Sequence, residues 1–270
     1  MEAATPLLAG RTAVVTGAGA GIGKGIALGF AAFGARVAIL EVEADSGERT
    51  AAAVRARGVD ALAVTTDVRD GDAVARAVAT VNERLGPIDA LVNNVGGTFN
   101  AAFVETTEKG WDALVRMNLK TVLHGTRAVA PGMVERGRGS IINVVSIEAE
   151  RAAPGYAVYA ACKAAVVSFT RSMALELGPR GVRVNALAPD ICLTEGLERL
   201  VSEADRARWP SIVPLGRAGV PGDVAGAAIF LASDLAAYVT GVTLPVDGGT
   251  HAAAGWYRAD GDWTIGPPRR

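Results

Sequence analysis

The chain is predicted to fold as an α/β doubly wound parallel sheet with helices on both faces, and three observations predict it. Short β-branched runs alternate with Ala-rich helical stretches along the sequence. The strand-like runs are continuously apolar, the pattern of strands covered on both faces. The first run leads directly into a glycine-rich turn and a helix. Repeated βαβ units force parallel pairing and right-handed crossovers, giving a sheet of about seven strands whose ligand lies beyond the strand carboxyl ends.

The elements follow in order. Residues 11–16 are the first strand and 22–33 a helix; 35–41 is a strand and 46–57 a helix; 61–66 is a strand and 70–85 a helix. Then come a strand at 88–93, a long helical stretch at 107–136, a strand at 140–146 and a helix at 156–177. A strand at 182–188, a helix at 223–232 and a strand at 242–246 complete the pattern. Residues 194–214 interrupt the rhythm with a polar, helical insertion, and residues 251–270 form a tail rich in Trp, Tyr, Gly and Pro. No linker, internal repeat or low-complexity run divides the chain. Residues 1–270 are therefore read as one dinucleotide-binding and catalytic domain ending in the aromatic tail.

Composition narrows the function. With 27 basic and 28 acidic residues among 270, no basic excess points to nucleic acid or to a membrane surface. No apolar stretch reaches the ~18 residues of a membrane span. The first residues lack the pattern of a signal peptide. Cys162 and Cys192 match no metal or redox spacing and fit a reducing cytosol, so a cytoplasmic protein is expected. His124 and His251 are isolated, and no metal site is expected.

The turn after the first strand reads Thr16-Gly17-Ala18-Gly19-Ala20-Gly21-Ile22-Gly23. It is T-G-x-x-x-G-x-G rather than G-x-G-x-x-G, which would need glycine at Ile22. Glycines let the backbone turn sharply and approach a pyrophosphate, which the free N–H groups and positive end of the following helix attract. Glu41 ends the second strand, where a carboxylate accepts hydrogen bonds from ribose hydroxyls and repels a 2′-phosphate. NAD is thus favoured over NADP, with Glu43 as a nearby alternative for this role. Asp67 and Val68, ending the third strand, are placed to bracket an adenine. Asn93, Asn94, Val95 and Gly96, ending the fourth, are placed to line the dinucleotide.

Tyr159 and Lys163 are four apart on a predicted helix and share a face. Ser146 ends the preceding strand on the ligand side. Carbonyl reduction needs a proton donor at oxygen, and alcohol oxidation needs a base there. Free tyrosine titrates near pH ~10, and lowering that by about three units corresponds to roughly 4 kcal/mol, much of which a nearby ammonium can supply. Ser146 can then orient the substrate oxygen. Asn118, on the helix before the serine strand, can hold a water or a backbone kink that supports Lys163.

These residues, in this order, resemble the single-domain branch of the short-chain dehydrogenase/reductase family over about residues 9–250. The resemblance rests on the glycine loop, Asn93-Asn94-x-Gly96, Asn118, Ser146, Tyr159-x-x-x-Lys163 and Val246-Asp247-Gly248-Gly249. It implies a Rossmann-type fold, a nicotinamide cofactor, and Asn118, Ser146, Tyr159 and Lys163 as the catalytic set. It implies that Thr194 sets a hydroxyl against the nicotinamide amide, near Pro189. It also implies a homotetramer built through the long fourth and fifth helices and the last strand. Two positions depart from the family: Pro189-Asp190 replaces Pro-Gly, which puts Asp190 at the nicotinamide end or against the substrate, and Val95 replaces Ala.

Expected pocket walls are residues 97–100, 148–154, Tyr156 and 190–209, with no guanidinium cluster dedicated to phosphate or carboxylate. A neutral secondary alcohol or ketone is expected as the small-molecule substrate. Two rivals remain open. Tyr156 and Lys163 share the Tyr-x6-Lys spacing of enoyl-thioester reductases, which reduce C=C bonds but lack the serine. Outside enzymology, the chain is a nucleotide-sensing or scaffold protein that retains the fold. The tail, with Trp256, Tyr257 and Trp263, is expected to pack on a pocket mouth of this or a neighbouring subunit, or on its own surface.

Overall fold

The computed structural model describes residues 6–199, 201–259 and 261–265. Its strands are β1 (Thr12–Thr16), β2 (Arg36–Glu41), β3 (Ala61–Thr65), β4 (Ala90–Asn93), β5 (Gly139–Val144), β6 (Val182–Pro189) and β7 (Thr243–Val246). They form one sheet in the order β3-β2-β1-β4-β5-β6-β7, with every pairing parallel. The helices are α1 (Gly21–Ala32), α2 (Ala44–Arg55), α3 (Gly71–Leu85), α4 (Glu108–Val115), α5 (Thr121–Arg136) and α6 (Ala157–Leu177). Beyond β6 follow α7 (Glu195–Glu198), α8 (Glu203–Ile212), α9 (Pro221–Ala232) and, after β7, α10 (Thr250–Ala253). Among the described residues no helix is long and apolar enough to cross a membrane.

Adjacent strand residues feed opposite layers. Val15 and Ile39 pack with Ile26 and Phe30 of α1 and Ala228 of α9. Their neighbours Val14 and Leu40 pack with Val78 and Val81 of α3 and Met133 of α5. Both sheet faces are thus covered, which is why the strands carry unbroken apolar runs. Complete burial of a side chain such as Phe30 contributes roughly 2 to 3 kcal/mol. Local chemistry sets the helix ends. Asp70 caps α3 by accepting from the amides of Asp72 (2.9 Å) and Ala73 (3.2 Å), and Gly86, at φ +83°, lets the chain leave.

β1 lies between β2 and β4, so the crossovers on its two sides wind in opposite directions and a crevice opens beyond the ends of β1 and β4. The glycine turn follows β1, and Asn94 follows β4. Position in the topology alone brings these two segments together.

Two expectations are corrected, and two segments gain detail. The helix expected over 107–136 is broken by a π-helical turn at Arg116–Lys120, because the Asn118 amide takes the Leu114 carbonyl (3.0 Å) from the helical ladder. Strand β5 ends at Val144, two residues short of Ser146, which instead caps a short 3₁₀ turn at Ile147–Ala149 by accepting from the Glu148 amide (3.2 Å). The polar insertion after β6 is helical as expected, as two short helices, α7 and α8; Leu200 lies outside the described residues. The tail contains an antiparallel hairpin, β8 (Trp256–Ala259) and β9 (Asp262–Ile265), and β8 lies against α8 of that insertion. Positions 1–5, 260 and 266–270, where the leader and the rest of the tail were read, lie outside the described residues.

Candidate active site

A cleft of about 610 Å³ runs along the carboxyl ends of the strands. Of the residues singled out from sequence, Gly17, Gly21, Ile22, Glu41, Asp67, Val68, Asn94, Gly96, Ser146, Tyr159, Lys163, Pro189 and Thr194 line it. Gly19, Gly23 and Asn118 do not; they stand behind the wall and shape it.

The glycine turn is built by close approach. Gly17 and Gly21 have φ of +62° and +56°, which side chains rarely adopt. A Cβ at Gly23 would collide with the Gly17 carbonyl oxygen and come within 2.5 Å of Asn94 Nδ2. A Cβ at Gly17 would meet a Val95 methyl at 2.8 Å, so the bulkier Val95 depends on glycine there. Asn94 is a clamp: its Nδ2 donates to the carbonyls of Thr16 (3.0 Å) and Gly17 (3.1 Å), and its amide N–H donates to Thr16 Oγ1 (2.9 Å). Ala20 precedes α1 with no side-chain cap, and the first turn of α1 holds no acidic residue. The amide of Gly21 donates instead to Glu195 Oε2 of α7 at 3.0 Å, and Lys24 of α1 pairs with the same carboxylate at 3.5 Å. Its own backbone amide first, then the Gly21 amide and Lys24, hold the Glu195 carboxyl below its ordinary range against the effect of burial.

At the other side of the turn, Glu41 Oε2 accepts from the Gly19 amide (2.9 Å) and Oε1 from the Val42 amide (2.8 Å). Glu43 directs no side chain into the cleft lining; it precedes α2 as its N-cap residue. Asp67 is paired with Arg69 through both oxygens (2.8 Å each), and that guanidinium holds its carboxyl below the usual value.

Tyr159 and Lys163 both face the cleft one turn apart on α6, with Lys163 Nζ 5.6 Å from the Tyr159 ring centroid. Lys163 Nζ donates to the Val144 carbonyl at the end of β5 (3.0 Å). Burial pushes the Tyr159 phenol above its ordinary value; the Ser146 hydroxyl beside it pulls the other way, and the Glu148 charge adds to the rise. Burial also lowers Lys163 from 10.5 to about 8. Among the described residues Asn118 makes no hydrogen bond to Lys163. Its Nδ2 donates to the Gly97 carbonyl (2.8 Å) and its Oδ1 accepts from the Gly97 amide (3.1 Å), so the wide turn pins the segment after β4. Gly96 fits between them: a Cβ there would sit 3.0 Å from both Asn118 Oδ1 and Lys163 Nζ.

The lowered Lys163 has a thermodynamic signature. Between its folded value of about 8 and its ordinary 10.5, the unfolded chain binds more protons, so stability rises with pH in that window. Below it, the folded protein carries the full cost of the buried ammonium, roughly 3 kcal/mol from the size of the shift. Lys163→Met is therefore expected to be the more stable protein at pH ~7, with the difference fading through the window above. Urea unfolding of both proteins at neutral and alkaline pH checks this. A less stable K163M at neutral pH would show that the contacts to Val144 and Tyr159 outweigh the burial.

Thr194 caps α7, accepting from the Leu197 amide (3.2 Å). Asp190 follows Pro189 and is held by Arg151 (3.5 Å), which also grips Glu148 Oε1 (2.9 Å). Sequence reasoning missed the roles of Glu195, Arg69 and Arg151. Nothing local marks them, because each acts on a segment brought to it by the fold or on a carboxylate already in place. Tyr156 precedes α6, is 36% exposed and is outside the cleft lining.

The arrangement suits a dinucleotide. The backbone approaches closely at the glycine turn, the residue before α1 supplies no side-chain cap, and acceptors stand at one end of the cleft with a titratable tyrosine at the other. A family model described as "Enoyl-(Acyl carrier protein) reductase" matches residues 17–251. Gluconate 5-dehydrogenase of Gluconobacter oxydans (strain 621H) is 41% identical over 243 residues, covering 90% of this chain and 95% of the relative. Among solved structures, a 7α-hydroxysteroid dehydrogenase complexed with NADH and 7-oxo glycochenodeoxycholic acid superposes with TM-score 0.87 at 34% identity, over 92% of this chain and 98% of that one. A gluconate 5-dehydrogenase from Burkholderia cenocepacia J2315, in complex with NADP and tartrate, superposes with TM-score 0.87 at 37% identity over the same shares.

Proposed function

Because the chain belongs to the short-chain dehydrogenase/reductase family, we propose that it is an NAD(H)-dependent oxidoreductase that interconverts a secondary alcohol and a ketone, with Tyr159 as acid/base. The observation that carries this reading is that Ser146, Tyr159 and Lys163 line the same cleft as the glycine turn. A screen of secondary alcohols with NAD, followed by the absorbance of the reduced nicotinamide, tests it. No turnover by any member would count against it.

The cofactor supplies an acceptor or donor of hydride at the carbinol carbon. The glycine turn and the amino end of α1 hold its pyrophosphate; Asp67 and Val68 hold the adenine; Asn94 and Gly96 shape the middle of the cleft. Pro189 and Thr194 bound the nicotinamide end, and Tyr159 and Lys163 hold its ribose. In oxidation, the phenolate of Tyr159 takes the hydroxyl proton as the C–H electron pair leaves and the C=O bond forms; in reduction the phenol returns that proton. Lys163 stabilises the phenolate by its charge, against the burial that raises Tyr159. Ser146 orients the substrate oxygen. Asn118 acts at one remove, by fixing the backbone after β4.

Glu41 supports NAD over NADP, although a relative's structure holds NADP. Glu41→Arg is expected to move the NADP-to-NAD ratio of kcat/KM towards NADP by roughly tenfold or more, about 1.4 kcal/mol. Because the ratio is taken within one variant, any general damage from losing the Gly19 and Val42 contacts cancels. An unchanged ratio would remove Glu41 from the cofactor argument.

The family model's description favours a second reading, reduction of an enoyl thioester with Tyr156 as donor. Tyr156 stands outside the cleft lining and Tyr159 inside it, which supports the first reading. From the family resemblance, the active form is read as a cytoplasmic homotetramer.

A further inference from the structure

Asp190 departs from the glycine expected after Pro189, and its surroundings give that departure a chemical meaning. It lines the cleft with Ser146 and Tyr159, and only 11% of its side chain is exposed. Arg151 Nη2 reaches its Oδ1 at 3.5 Å, while Glu148 Oε1 takes the same nitrogen at 2.9 Å. One guanidinium thus serves two carboxylates and saturates neither. Asp190 Oδ2 and Glu148 Oε2 are both buried with no well-formed hydrogen bond among the described residues; the Thr250 hydroxyl beside Asp190 donates instead to the Asp247 carbonyl at 2.8 Å. A buried carboxylate oxygen left without a donor is costly, and a ligand donor would relieve that cost.

The fold sets where such a donor must be. Val144 pairs with Leu187 across β5 and β6, and the Val145 amide donates to the Leu187 carbonyl at 2.8 Å. Ser146 and Asp190 therefore leave neighbouring strands at nearly the same level, and neighbouring strands lie about 5 Å apart. That separation spans two or three bonded carbons. A group bound to Asp190 then sits on a carbon close to the one whose oxygen meets Ser146.

Resting on the alcohol–ketone reading above, we propose that Asp190 determines specificity for substrates with a hydroxyl on a carbon neighbouring the reacting carbinol, that is, vicinal diols and α-hydroxy ketones. Arg151 and Glu148 are its positioning residues: the guanidinium stands 3.5 Å from Oδ1, too far for a strong hydrogen bond, and leaves that oxygen to accept from the substrate hydroxyl. The guanidinium is committed to these two carboxylates, so the site is not built to receive a substrate carboxylate. Burial, the strongest influence on the Asp190 carboxyl, raises it, and the Arg151 guanidinium opposes that rise.

The test uses matched pairs of mono-ols and vicinal diols on the same four- to eight-carbon skeletons, open-chain and cyclic, with NAD and the full-length protein, together with the amino alcohol of each skeleton. The diol is expected to exceed its mono-ol in kcat/KM by at least about tenfold, as when a buried polar group loses its partner. D190G should bring that ratio close to one. D190N, which keeps the shape and one carbonyl oxygen, should fall between, and Tm of each variant separates specificity from unfolding. Equal use of mono-ols and diols by the parent, an unchanged ratio in D190G, preference for the amino alcohol, or turnover of no diol each overturns the proposal. If mono-ols are still oxidised in a Tyr159-dependent way, the alcohol–ketone reading survives that failure; if oxidation is independent of Tyr159, or absent throughout, both fall.

Discussion

Tyr159→Phe is expected to lower kcat by roughly a thousandfold or more, the upper part of the range for removing a positioned acid/base. Phenylalanine keeps the ring, and it is the ring that lies 5.6 Å from Lys163 Nζ, so the loss is confined to one hydroxyl. NADH affinity should fall only by a few-fold, because the glycine turn and Lys163 still hold the cofactor, whereas the lost proton transfer acts in the transition state. Titrating cofactor fluorescence alongside single-turnover kinetics separates the two. Tyr156→Phe is the matched control, a similar change at a residue outside the cleft lining, and should leave kcat close to the parent's. Turnover retained in Y159F and lost in Y156F would transfer the reading to C=C reduction.

Gly23→Ala is the second large effect, and its cause is mechanical. The new methyl would meet the carbonyl oxygen of Gly17 and the Asn94 amide, which itself clamps the carbonyls of Thr16 and Gly17. The first obstacle is backbone, and the second is a side-chain end held in place by its two hydrogen bonds. Overpacking of this kind costs about 1 to 3 kcal/mol, which lowers Tm by several degrees in a chain of this size. The same displacement deforms the turn that receives the pyrophosphate, so cofactor affinity should fall by roughly tenfold or more. Gly226→Ala on α9 is the control: that position is exposed with open space around it, and alanine there is expected to hold or raise Tm. Wild-type Tm and cofactor affinity in G23A would mean that the turn has slack the close contacts do not suggest.

The sheet was legible because its signal is local and repeated. Val14 and Val15, or Ile39 and Leu40, are apolar neighbours only because both faces are covered, and that shows in the sequence without knowledge of partners. Most of the cleft lining was legible for the same reason: those residues sit at strand ends, and a parallel sheet gathers strand ends. What escaped was long-range. The π-helical turn depends on Asn118 meeting Gly97, and no helical period marks it. Ser146 reads as strand because Val145 and Ser146 continue an extended run, yet its hydroxyl is committed to the Glu148 amide. The hairpin of the tail alternates in type, but the alternation is only four residues long on each side of Gly261. Asp190 was noticed as a departure, whereas the arginine that shares it with Glu148 could be weighed only once the loops were in place.

Glu195 draws one more consequence. Its carboxylate rests on the Gly21 amide and beside Lys24, where the amino end of α1 receives negative charge. Any phosphate binding there first evicts an anion the protein already owns. The affinity measured at this end is then an exchange constant, smaller than the intrinsic one by the stability of the internal contact. α7 directly follows Thr194, whose methyl would lie 3.2 Å from a Cβ at Gly21, so eviction also tugs on the segment that follows β6. Occupancy of the phosphate end is in this way felt along the segment between β6 and α8.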